Sequence, residues 1–232
     1  SNRLHGGDVY MPITPMFHVH AWGFPYAATL LGIKQVYAGR YIPANLLRLI
    51  AEEGATFSHC VPTILQMLLS APEAADTDLS KLKMLIGGSA LPRGLAEAAL
   101  ARGINVYTGY GMSETCPVLT ISVLDPEDEA AVGPRLKTGN PIPMVDLQTV
   151  GEGMKEMLRD GVSTGEVVAR APWLNAEYVK NPEATEALWE GDYLRTGDVG
   201  HIDRNGTLMI TDRMKDVIKS GGEWVSSLEL ES

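Results

Sequence analysis

The alternation of apolar and polar positions divides the chain into two stretches of different rhythm. From Ala21 to about Leu119, segments with apolar residues at helical spacing alternate with short β-rich runs, the signature of a parallel α/β sheet. Pro43 to Gly54 predicts a helix: proline stands at a first helical position, apolar residues recur at helical spacing, and glycine follows the end. Thr56 to Val61 predicts a strand ended by Pro62, and Thr63 to Ser70 a second helix. Lys83 to Ile86 reads as a strand running into Gly87 and Gly88. Leu91 to Ala101 reads as a helix entered at Pro92, and Ile104 to Tyr107 as a strand followed by a glycine-bearing turn, Thr108 to Thr115. Beyond Asp125 the rhythm changes, Asp125 to Arg135 being acidic and poor in helix signals toward its end. Short strand-like runs such as Gly165–Arg170 and Gly206–Ile210 then lie between Gly, Pro, Asn and Asp turns from Thr138 to Ile210, which predicts a small β-rich lobe.

Composition narrows the classes. With 45% hydrophobic and 21% charged residues, a chain of 232 residues has the usage of a globular protein with a real core. The most apolar segment, Ala21 to Ile33, is short and interrupted by Gly23, Pro25 and Gly32, so no transmembrane span is expected, and the first residues lack the basic and apolar run of a secretory signal. The two cysteines, Cys60 and Cys116, form neither a CxxC nor a zinc-ligand spacing; a reducing cytoplasm fits this usage. A formal net charge of -10 with scattered Lys and Arg argues against nucleic acid as a partner.

Four strings carry candidate chemistry. At Thr108–Thr115 a strand ends in glycines, where the carboxyl edge of a parallel sheet exposes backbone N–H groups to ligands. Ser113 adds a hydroxyl, and Glu114 adds a carboxylate suited to Mg²⁺, which takes one or two carboxylates plus phosphate oxygens. The local string reads equally as a tight turn that caps a helix. Gly87–Pro92 is a second strand-to-helix corner whose glycines would let a planar ligand approach the backbone. Tyr193–Asp198 places an acid after a tight turn, where it could accept from ribose hydroxyls or form an Asx turn. Asp212–Gly222 concentrates three cations near two glycines, fit for phosphate or carboxylate, or for an exposed charged strand. His18 and His20 would suit a strand-borne metal pair, but no third ligand accompanies them.

In their order and spacing these strings resemble the adenylate-forming superfamily of acyl-CoA synthetases, aryl-CoA ligases, luciferases and peptide-synthetase adenylation domains. Pro15–Gly23 looks like its acyl-pocket motif, Gly109–Thr115 its central nucleotide motif, Tyr193–Asp198 its ribose motif and Asp212–Gly222 its interdomain hinge. His18–Trp22 and Ser220–Ser227 look most like the medium- and long-chain fatty acyl-CoA synthetase branch. The resemblance implies an α/β fold in which a parallel sheet with flanking helices (1–135) is followed by a β-rich lobe of the same domain (136–211) and then by the hinge and start of a C-terminal domain (212–232).

The resemblance also implies a set of roles. Gly88, Ser89 and Ala90 would line the adenine and acyl junction, Thr108, Gly109, Tyr110 and Gly111 would contact the nucleotide, and Ser113 would meet the α-phosphate. Glu114 would hold Mg²⁺, Asp198 the ribose hydroxyls, and Arg213, Lys215 and Lys219 ribose or phosphate. His18 and Trp22 would border the acyl channel together with Gly88, and Gly221 and Gly222 would contact CoA. His18 could orient a substrate or assist the CoA thiol, although a histidine on an apolar face is more often a packed core residue. The activity implied is that of a fatty acid–CoA ligase using ATP, Mg²⁺ and CoA. An aryl- or short-chain acid–CoA ligase and a non-catalytic nucleotide- or acyl-binding module remain as alternatives, and a homodimer stays open. The family's phosphate loop and its late C-terminal lysine have no counterpart in this stretch, so the chain by itself is expected to be inactive. Glu177 stands where a glycine is common in the family, and Ser113, where threonine is more usual, keeps the hydroxyl.

Overall fold

The computed structural model describes residues 4–122, 124, 131–215, 218–220 and 223–225, and of His20, 218–220 and 223–225 the backbone alone. The described chain forms two compact units, 1–113 with 122–136, and 114–121 with 137–232.

In the first unit, strand β1 (Val9–Tyr10) leads through the one-turn helix α1 (Val19–Trp22) and helix α2 (Phe24–Leu30) to β2 (Lys34–Gln35). Helix α3 (Pro43–Glu53), β3 (Phe57–Cys60), α4 (Pro62–Ser70), β4 (Lys83–Ile86), α5 (Arg93–Ala101), β5 (Asn105–Gly111) and α6 (Val132–Leu136) follow. The helix boundaries follow local chemistry. Pro43 opens α3, and Gly54, at φ 68° and ψ 42°, closes it in the left-handed conformation that glycine adopts without a Cβ penalty. The five strands are parallel, in spatial order β2-β1-β3-β4-β5. Every residue of β3 and β4 is buried, as expected for strands covered on both faces.

Side-chain alternation sends Cys60, Met84, Ile86 and Val106 to one face, where they join Leu46, Leu47 and Ile50 of α3, Leu65 and Leu68 of α4, and Leu95, Ala96 and Ala99 of α5. Each large side chain in that cluster contributes roughly 1.5–3 kcal/mol on burial. The opposite face carries Tyr10, Phe57 and His59 against Phe24 of α2. It also buries a charge pair: Lys83 Nζ lies 2.7 Å from Asp8 Oδ2, with side-chain exposures of 9% and 3%.

The second unit is mostly antiparallel. Strands β6 (Val118–Ile121) and β7 (Asn140–Pro141) pair with each other, as do β8 (Asp146–Val150) and β9 (Gly165–Arg170). After α7 (Pro182–Leu188) and β10 (Trp189–Glu190), β11 (Tyr193–Ile202) lies between β10 and β9 and also pairs with β12 (Leu208–Arg213). A last antiparallel pair, β13 (Ile218–Ser220) and β14 (Glu223–Val225), follows. Among the described residues no helix is long and apolar enough to cross a membrane.

The fold class is as expected, but several local readings change. The glycine-bearing stretch from Thr108 is strand as far as Gly111: pairing with β4 holds β5 through Thr108, in register with Ile86, and the extended backbone continues to Gly111. His18 and His20 lie at a helical turn, α1, and not on a strand. Tyr193–Asp198 belongs to the ten-residue strand β11 and is not a tight turn; the irregularity is a register shift between Arg195 and Val199, with Gly197 at φ 70°. The lobe also contains a helix that its turn-rich composition concealed, α7, opened by Asn181 accepting from the Ala184 N–H at 3.1 Å.

Candidate functional site

Strand direction places the carboxyl ends of β1, β4 and β5 at one edge of the parallel sheet, and the loops leaving them carry three of the expected strings. Such edges hold ligands because the strands deliver loop backbones there without competing ladder bonds. From β1 the chain runs to His18, whose carbonyl accepts from the Trp22 N–H at 3.0 Å, closing the α1 turn. His18 and Trp22 are exposed, and the Trp22 ring meets Tyr26 edge-on at 6.2 Å.

From β4 the chain turns at Gly88, which has φ 83°, and a Cβ there would meet Val61 Cγ1 at 3.1 Å. Both conformation and space therefore favour glycine, and Ser89 and Ala90 are left exposed beside it. From β5, Thr108 is buried, Gly109, Tyr110 and Met112 are half-buried, and Gly111 and Ser113 are exposed. A 3₁₀ turn, Ser113–Thr115, follows.

Glu114 opens the second unit, which fixes it at two points. Its carbonyl accepts from the Asn175 N–H at 2.8 Å, and its Oε1 accepts from the Tyr178 hydroxyl at 2.7 Å. The hydrogen bond to Glu114, then partial burial and the Glu114 charge, push the Tyr178 phenol up to about 12, so it remains a donor at neutral pH. Sequence reasoning did not name Tyr178, which lies 64 residues from its partner.

Asp198, in the same unit, is buried on β11, and its Oδ1 lies 3.4 Å from Nε of the exposed Arg213 at the end of β12. The register shift before Asp198 is held by Glu166, another residue not anticipated. Its carboxylate accepts from Arg195 Nη2 at 2.6 Å and Nε at 3.1 Å, and from the Gly197 N–H at 3.3 Å. Lys215 is exposed; the Lys219 side chain and Gly221 and Gly222 lie outside the described residues.

Among the described residues no group of three or more His, Cys, Asp or Glu could hold a metal. A single presented carboxylate, Glu114, does fit Mg²⁺ arriving with a nucleotide, since that ion keeps most of its waters and shares its remaining positions with phosphate oxygens.

Residues 1–179 match the AMP-binding enzyme family. The chain belongs to that family. It is 43% identical over 235 residues to the long-chain-fatty-acid–CoA ligase of Thermus thermophilus, covering 97% of this chain and 43% of the relative. It is 37% identical over 241 residues to the medium-chain-fatty-acid–CoA ligase of Ectopseudomonas oleovorans, covering 99% and 43%. The chain thus spans less than half the length of these curated relatives. Its fold is similar to the inhibitor-bound N-terminal domain of FACL13 from Mycobacterium tuberculosis, with a TM-score of 0.80 and 29% identity over 90% of this chain and 51% of that one. It is also similar to O-succinylbenzoate coenzyme A synthetase from Bacillus subtilis in complex with ATP and magnesium ion, with a TM-score of 0.80 and 27% identity over 97% of this chain and 45% of that one.

Proposed function

We propose that the protein containing this chain is an AMP-forming fatty acyl-CoA synthetase. A fatty carboxylate oxygen attacks the α-phosphorus of ATP, pyrophosphate leaves, and the acyl-adenylate forms. The thiolate of CoA then attacks the acyl carbonyl, and AMP leaves with the C–O electron pair. The observation that carries this reading is the Thr108–Glu114 segment at the carboxyl edge of the parallel sheet, in a chain 43% identical to a long-chain-fatty-acid–CoA ligase.

Both steps build negative charge on oxygen, so fixed donors and cations are the expected means of catalysis and no protein nucleophile is needed. In this reading the Ser113 hydroxyl donates to the α-phosphate, while Thr108, Gly109, Tyr110 and Gly111, with Gly88, Ser89 and Ala90, bind the base and the acyl junction. Asp198 accepts from the ribose hydroxyls, and Arg213, Lys215 and Lys219 bring positive charge. His18 and Trp22 border the acyl channel, and Gly221 and Gly222 lie by CoA. Mg²⁺ held by Glu114 would neutralise phosphate charge. Tyr178 orients that carboxylate, and Glu166 holds the register shift in β11 that presents Asp198.

The test is pyrophosphate release and thioester formation by the full-length protein across acids from acetate to palmitate, plus benzoate, beside Glu114→Ala. Thioester formed best from the longer aliphatic acids and lost in the variant supports the reading. Preference for benzoate or acetate moves it to another branch, and no turnover with any acid refutes it.

A further inference from the structure

The two carboxylate oxygens of Glu114 meet different surroundings. Oε1 accepts from the Tyr178 hydroxyl at 2.7 Å, whereas among the described residues Oε2 has no partner. Both residues belong to the second unit. There the segment from Asn175 to Tyr178 grips Glu114 twice, at its backbone carbonyl through the Asn175 N–H at 2.8 Å and at its side chain through Tyr178.

The donor is anchored as well as the acceptor. The Tyr178 N–H donates to Thr185 Oγ1 at 2.9 Å, and the Tyr178 carbonyl accepts from the Asn181 N–H at 3.2 Å. Thr185 Oγ1 donates in turn to the Asn181 carbonyl at 2.9 Å. Lys180, at φ 57°, closes this turn in the left-handed region, and Pro182 starts α7 behind it. Tyr178 is thus tied at both backbone groups to the start of α7, which gives its hydroxyl a set position and the Glu114 carboxylate a set rotation.

That rotation bears on the choice of cation. Mg²⁺ demands near-octahedral coordination, keeps several waters and binds through one or two carboxylates plus phosphate oxygens. Ca²⁺ takes about six to eight oxygens in a looser shell and accepts both oxygens of one carboxylate. Among the described residues no group of three or more His, Cys, Asp or Glu could hold a metal, so the way Glu114 is presented is what this part of the chain contributes to the ion's shell. A carboxylate with one oxygen pledged to a phenol offers the other.

We infer that Tyr178 makes the protein selective for Mg²⁺ over Ca²⁺ by keeping Glu114 a one-oxygen ligand, an inference that rests on the reading of Glu114 as the Mg²⁺ carboxylate. With the hydroxyl in place, Oε2 serves an octahedral ion in full and the larger ion is denied its second oxygen. Without it, Mg²⁺ loses an oriented ligand, about tenfold in affinity, whereas Ca²⁺ recovers part of the same loss through Oε1. The preference for Mg²⁺ over Ca²⁺ therefore narrows by about threefold or more.

The experiment measures by calorimetry, with the full-length protein and no fatty acid present, the Kd of MgATP, of CaATP and of AMP added without metal. The proteins compared are the parent, Tyr178→Phe, Glu114→Ala and the double variant. The expected result is a preference for MgATP over CaATP that shrinks in Tyr178→Phe while AMP binds as before, and that Tyr178→Phe leaves unchanged once Glu114 is alanine. A general loosening of the site weakens both metal complexes and AMP alike, and that pattern overturns the inference. So does a ratio equal in parent and Tyr178→Phe, or a narrowing that persists without Glu114; in a protein that forms thioester, these outcomes leave the functional reading standing. A parent protein that binds neither metal complex and forms no thioester overturns both.

Discussion

The buried pair of Asp8 and Lys83 gives the sharpest test of how this fold is held together. Strand β4 is buried at all four positions, and its first residue is a lysine; that lysine is tolerable because Asp8 lies beneath it at 2.7 Å. The carboxylate also accepts from the Thr56 hydroxyl at 2.7 Å and the His5 N–H at 2.8 Å. Replacing Lys83 by Met keeps the apolar stem and removes the ammonium, which leaves a buried carboxylate without its counter-charge. Breaking such a pair from one side costs about 3–5 kcal/mol, a large part of the 5–15 kcal/mol typical of a domain.

The pH dependence carries a sign as well. Burial pushes the Asp8 carboxyl up, but the hydrogen bonds from Lys83, Thr56 and His5, with the Lys83 charge, outweigh it and hold the group below its usual value of 3.8. The parent therefore keeps this contribution at neutral pH and loses it only as the pH falls through the depressed folded value, below about 4. In Lys83→Met the burial remains and the largest compensation, the Lys83 hydrogen bond, goes together with the Lys83 charge, leaving Thr56 and His5, so the carboxyl should titrate higher than in the parent and the variant should regain relative stability on acidification. Urea unfolding of the 232-residue chain, followed by far-UV circular dichroism at pH 7 and pH 4.5, gives the two differences as midpoint shifts multiplied by the slope. A neutral-pH penalty under about 1 kcal/mol, or one that does not narrow by pH 4.5, refutes the reasoning. The double variant Asp8→Asn with Lys83→Met should recover part of the loss if the two residues are coupled.

Two further outcomes follow from local geometry. Tyr178→Phe removes the hydroxyl that orients Glu114, and loss of such a partner costs about tenfold in metal affinity, so in the full-length protein the Mn²⁺ affinity measured by electron paramagnetic resonance should fall about that much, together with a raised Mg²⁺ requirement; unchanged affinity would deny Tyr178 the positioning role. Gly54→Ala and Gly103→Ala both force alanine to positive φ, 68° and 76°, which costs about 1–2 kcal/mol, but only at Gly103 would the new Cβ also meet the Ser80 Cα at 2.9 Å, so unfolding midpoints should fall further for Gly103→Ala than for Gly54→Ala.

What was legible in the sequence, and what was not, follows the range of the interactions involved. Helix α3 could be read because proline, the apolar stripe and the closing glycine all act within one segment, and β9 could be read from Gly165 to Arg170 because its valines sit between turn residues. Helix α7 had a local signal too, Asn181 before Pro182, but it lay among strand-like runs whose turn residues dominated the pattern. At Thr108 the local string argued for a turn and pairing with Ile86 of β4 keeps it in the strand, a tertiary contact prevailing over propensity, and the strand runs on to Gly111.

The candidate site divides along the same line. His18, Gly88, Ser113, Glu114, Asp198 and Arg213 stand in contiguous strings, so a resemblance could carry them. Their supports do not. Tyr178 is 64 residues from Glu114 and Arg195 29 from Glu166, and the core pairs Lys83–Asp8 and His59–Tyr10 are separated by 75 and 49. Each of these pairs exists only because the fold closes a long loop, so no periodicity or spacing announces it. Tyr178 and Glu166 hold a carboxylate and the register shift before Asp198 in place, and variation among relatives that share the same site strings should therefore be sought in these distant partners.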